Sequence, residues 1–80
     1  MARYFFHLNQ CGSVTADLEG LDLPDLSAGR ETAITAARDV MCGELLNGAL
    51  CLGCHIDIAD AKGHVLLTVR FIDAVHVTGL

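Results

Sequence analysis

Apolar and polar residues alternate in twos at the start of the chain, change to a rhythm of threes and fours, and return to alternation at the end. From Arg3 to Leu8 the pattern puts Tyr4, Phe6 and Leu8 on one face and Phe5 and His7 on the other, as in an aromatic-rich strand. Asn9-Gln10-Cys11-Gly12-Ser13 supplies turn chemistry, and Val14-Thr15-Ala16 is long enough for the return arm of a hairpin. Asp17-Leu18-Glu19-Gly20 reads as a second turn. Leu21-Asp22-Leu23 alternates once more, and Pro24, lacking an N–H, ends any pairing there.

The middle third predicts a helix. Asp25 or Ser27 can cap its free N–H groups, and Glu31 sits in an early turn, where negative charge suits the dipole. Ala33, Ile34, Ala37, Val40, Met41 and Leu45 recur at threes and fours and form one apolar stripe, while Glu31, Thr35, Arg38 and Asp39 lie mainly off it. Gly48 after Asn47 is a suitable terminator. The last third predicts a hairpin: Ile56 and Ile58 share a face, Asp60-Ala61-Lys62-Gly63 turns, and Val65, Leu67, Val69 and Phe71 line the return. Val75 and Val77 are expected to continue the sheet beyond a bend near Asp73. The order β-β-α-β-β describes an α+β fold, one long helix packed on one face of an antiparallel sheet, in a single domain over residues 1–80.

Composition adds a tension. The chain has 80 residues, of which 52% are hydrophobic, and its mean hydropathy is +0.47. So small a body has too much surface to hide that many apolar groups, which points to self-association, with a homodimer as the expected state. The net charge is −5, and the five cations Arg3, Arg30, Arg38, Lys62 and Arg70 are scattered. No basic stripe exists to displace counterions from a phosphate backbone, so no nucleic acid is expected as a partner. No apolar run reaches the length a membrane helix needs, so no membrane association is expected either. Met1-Ala2-Arg3 leads straight into the first strand without the pattern of a secretory leader, and a cytoplasmic location with reduced cysteines is the expectation.

Cys51-Leu52-Gly53-Cys54-His55 is the segment that most invites a chemical reading. Its spacing suits covalent haem attachment, with distal ligands available among His7, Met41, His64 and His76. Such cysteines sit on a helical turn in an exported protein, whereas this tetrad runs into the strand Ile56-Asp57-Ile58, so no haem or other cofactor is expected. A zinc reading takes Cys51, Cys54, His55 and Cys42 as a Cys₃His set. Cys42, however, falls inside the helix, and Cys54 and His55 would point to opposite faces of a strand. Redox catalysis wants the pair at a helix N-terminus, and here it follows the helix. Asp17, Glu19, Asp22 and Asp25 lack the pattern of a calcium loop, and turn and cap roles account for Asp17 and Asp25. No nucleophile elbow or phosphate-cradling glycine loop is present, and the protein is not expected to be an enzyme.

Taken whole, the chain resembles DUF6894, a family of short bacterial proteins without an assigned activity. The resemblance rests on Arg3-Tyr4-Phe5-Phe6-His7, Asp17-x-Glu19-Gly20 with Asp25, and the alanine-rich helix around Glu31 to Ala37. It continues through Gly48-x-Leu50, Ile56-x-Ile58-x-Asp60-x-x-Gly63 and Phe71-x-Asp73-Ala74-Val75. Arg70 stands where the family pattern leads one to expect proline. The resemblance implies the fold and no activity.

The sequence therefore leads to a non-enzymatic module that self-associates through a sheet edge or apolar face and acts by binding protein. The alternative is a small metal-binding protein using Cys51, Cys54 and His55 with Cys42. A third reading is an antitoxin-like regulator linked to nucleic acid.

Overall fold

A computed structural model describes residues Met1–Leu80. Five strands and one long helix follow the order β1 (Ala2–Gln10), β2 (Ser13–Thr15), β3 (Leu21–Leu23), α1 (Leu26–Leu46), β4 (His55–Ala59) and β5 (Val65–Arg70), with a 3₁₀ turn at Phe71–Asp73. All pairings are antiparallel, in the order β2-β1-β4-β5, with β3 also on β1. The α+β architecture is the one the alternation predicts. Val75 and Val77 do not extend the sheet. The 3₁₀ turn takes over at Phe71, and Arg38 Nε donates to the Ala74 carbonyl at 2.7 Å, drawing the chain to the helix.

β1 is the axis of the sheet. One edge pairs with β4 over Phe5–Asn9. The other is divided, with β3 along Ala2–Tyr4 and β2 along Leu8–Gln10. Neither short strand reaches Phe6, whose N–H would be left without a carbonyl. Asp17 fills the gap: its carboxylate accepts from Phe6 N–H at 3.1 Å and from the Glu19 and Gly20 N–H groups at 3.2 and 3.1 Å. Partial burial acts to raise the Asp17 pKa, but these three donors outweigh it and hold the carboxyl below its ordinary value. A side chain thus stands in for the missing strand segment.

The turn that places Asp17 depends on Gly20, at φ 71°. A Cβ there would come within 2.9 Å of Arg3 Cγ and Phe5 Cε2 and 3.0 Å of the Tyr4 carbonyl oxygen. Gly20→Ala is expected to cost about 1–3 kcal/mol through left-handed strain and this crowding. Urea unfolding followed by circular dichroism checks it, and an unchanged midpoint would contradict the close approach.

Local sequence sets both ends of α1. Asp25 accepts from Ala28 N–H at 2.9 Å as the N-cap. At the other end Gly48 takes φ 79°, Ala49 N–H reaches the Glu44 carbonyl and Gly48 N–H reaches that of Leu45. These two bonds make a Schellman motif. Gly29, Ala33, Ile34, Ala37 and Met41 form the buried face. Leu45, which continues the same stripe in sequence, is 59% exposed. It lies in the last turns of the helix, beyond Met41, the final buried position.

Tyr4, Ile56, Ile58 and Val69 meet the helix from the sheet, with Phe6, Leu8 and Leu67 packed beside them. Phe71 and Ile58 are the largest fully buried side chains. Ala33, Ala37, Ala59 and Ala74 make up a third of the twelve buried hydrophobic residues, so the core holds little side-chain volume. No helix is long and apolar enough to cross a membrane.

Candidate functional site

The register of β1 on β4 decides which cysteines meet. Pairing Asn9 with His55 sets the β1–β2 turn, Cys11-Gly12, beside the residues that lead into β4. Cys11 thereby joins Cys51 and Cys54. The three Sγ atoms lie within 4.8 Å of one another, and those of Cys11 and Cys51 are 2.7 Å apart. All four cysteines are free thiols.

The three thiols differ in setting. Cys11 is exposed on the hairpin turn, Cys51 is half-buried, and Cys54 is 3% exposed within the core cluster. Hydrogen bonding from Cys11, then from Cys54 and the Gly53 N–H, lowers the Cys51 pKa. The same bond to Cys51 raises that of Cys11. Burial, followed by hydrogen bonding to Cys51, pushes Cys54 up to about 11. Of the three, Cys51 is thus the sulfur whose pKa its neighbours lower, with Cys11 Sγ 2.7 Å away as its hydrogen-bond partner. Glu44 adds negative charge near Cys51, and its Oε1 is buried without a hydrogen-bond partner.

The ligand set considered from spacing divides in the fold. Cys51 and Cys54 are brought together. Cys42 is exposed on α1 and lies outside the thiol group. His55 is also outside it, because strand alternation sends Cys54 and Ile56 to the core and turns His55 to the open face of the sheet. There its Nε2 sits 3.6 Å from Asp57 Oδ2. Cys11, which spacing did not group with the others, takes their place. It lies 40 positions from Cys51, so no local signal marks it, and only the hairpin register brings it in.

On the open face Asp57 is the hub. Its Oδ1 accepts from Thr68 Oγ1 at 2.7 Å and its Oδ2 from Asn9 Nδ2 at 3.2 Å. His7, opposite Asp57, accepts the Asp17 N–H on Nδ1 at 3.1 Å, so the neutral ring carries its proton on Nε2. The acidic residues of the two early turns serve the fold: Asp17 bridges β1, Asp25 caps the helix, and Asp22 pairs with Arg3 at 3.0 Å.

The family described as "Domain of unknown function (DUF6894)" matches residues 3–72. Neither a curated protein nor a solved structure matches the chain.

Proposed function

The chain belongs to the DUF6894 family, and from that premise we propose that it is a non-enzymatic protein-binding module whose first partner is a second copy of itself, joined through the free edge of β5. The observation that carries this reading is the hydrogen-bonding state of that edge. Phe71 N–H donates inward to the Cys54 carbonyl at 2.9 Å. Strand alternation then turns the N–H and C=O groups of Arg70 and Thr68 outward, and no strand pairs with β5 on that side.

Two further features support it. Val65 and Leu66, at the start of the same strand, are 56% and 43% exposed. The accessible surface is 5202 Å², whereas a monomer of this mass exposes about 4,700 Å². The non-enzymatic part rests on how the polar groups are used. Asp17, Asp57, Asp60 and His7 are all engaged in hydrogen bonds that hold turns or strands in place.

Arg70→Pro tests the edge cleanly. Arg70 has φ −79° and ψ 143°, which proline adopts without strain. Its ion pair with Asp73 is exposed and worth little. The substitution removes an outward donor and leaves the β4 ladder intact. Dimer affinity is expected to fall about 10- to 100-fold, from losing two symmetry-related bonds, with monomer stability nearly unchanged. Light scattering across a concentration series reads the effect, with Arg70→Lys as the variant that keeps the N–H. A wild-type chain that stays monomeric at high micromolar concentration would sink the proposal.

A further inference from the structure

We propose that Cys11, Cys51 and Cys54 together bind one thiophilic d¹⁰ cation, Zn²⁺ being the ion that fits, with its fourth position filled from outside the trio. This inference does not depend on edge pairing, since the site is built within one chain.

The distances suit the ion. Zn–S bonds of about 2.3 Å in tetrahedral geometry set sulfurs about 3.8 Å apart. The three sulfurs already lie within 4.8 Å of one another, and the 2.7 Å pair has to open by about 1 Å. Cys11 is the member free to make that adjustment, being exposed on a two-residue turn, while Cys54 is anchored in the core.

Gly53, within the Cys-x-x-Cys loop, lies against Cys51: a Cβ built on it would stand 3.9 Å from the Sγ. Three sulfur donors without a hard-oxygen cage favour a thiophilic ion over Mg²⁺ or Ca²⁺.

The binding step involves no redox change. Three S–H bonds release protons to the buffer, three S–metal bonds form, and bound waters leave the aquo ion. The ion would tie the β1–β2 turn to the α1–β4 connection, joining chain segments 40 positions apart. It would therefore raise thermal stability by binding the native state.

The test uses the full-length chain under reducing conditions, with Zn²⁺ as the probe. Competition against a chromophoric chelator is expected to give one ion per chain. Alkylation mapped by mass should show Cys11, Cys51 and Cys54 protected by Zn²⁺ and Cys42 modified as before. Cys42→Ser should bind like wild type, and Cys11→Ser should bind about 100-fold more weakly or worse. Because Cys11 is exposed, this variant is expected to keep the fold, and the alkylation pattern on unmutated protein gives an answer even if it does not. Equal modification of all four cysteines with and without Zn²⁺ would overturn the proposal, as would wild-type affinity in Cys11→Ser. One ion per two chains would place the ion between copies and overturn the single-chain site. Unchanged Zn²⁺ binding in Arg70→Pro is expected, so the metal site and edge pairing stand or fall separately.

Discussion

Phe71→Ala is expected to lower the stability of the fold by about 3–5 kcal/mol, the range for emptying an aromatic position in a packed core. Phe71 is fully buried in the cluster that joins the sheet to α1. It also ends β5: its N–H donates to Cys54 and its carbonyl accepts from Ala74. The core cluster it belongs to contains Ala33, Ala37 and Ala74, which have no side-chain length with which to fill a void. A domain of this size has a total stability of about 4–12 kcal/mol, so the variant should be largely unfolded at physiological temperature. Urea unfolding monitored by circular dichroism measures it. A loss under about 1 kcal/mol would mean that the side chain is not packed as described.

Asp17→Ala is expected to cost about 1.5–3 kcal/mol at neutral pH, the range for hydrogen bonds to a charged acceptor. The substitution leaves Phe6 N–H without a partner in the gap between β2 and β3, and it frees the Glu19 and Gly20 N–H groups of the turn. The effect carries a pH signature. The Asp17 carboxyl titrates below its ordinary value of 3.8 in the folded chain. Its contribution is therefore complete above that value and is lost as pH falls through the lower, folded one. Asp60, held down first by the His64 N–H, behaves in the same sense. Wild-type stability should thus fall as pH drops below about 4, and Asp17→Ala should show a shallower decline. Parallel pH profiles for the two proteins would refute the assigned role.

Much of this fold is written in local pattern. Period-two alternation in Arg3–Leu8 and Ile56–Phe71 marks strands because side chains alternate across a sheet. Asp25 and Gly48 bound the helix because each satisfies backbone groups that any helix end leaves free. Departures occur at the ends of elements. Leu45 keeps the helical rhythm but lies beyond the last buried helix position and is exposed, and Val75 and Val77 keep the strand rhythm but follow a 3₁₀ turn that ends pairing.

The thiol centre was legible only by half. Cys51 and Cys54 are adjacent enough in the chain for their spacing to join them, as their shared loop confirms. His55 has the right spacing, but strand alternation turns it to the open face and away from the sulfurs. Cys42 failed because a helix carries it to an exposed position.

By itself, then, the order of residues determined the main elements, the helix stop at Gly48, most core-facing strand positions and the family, because these depend on neighbours within a few positions. The meeting of Cys11 with Cys51 and Cys54, the use of Asp17 as a substitute for missing strand, and the outward turn of the Arg70 N–H were decided only in three dimensions. Each follows from strand register, and register is a relation between distant segments that sequence spacing does not encode.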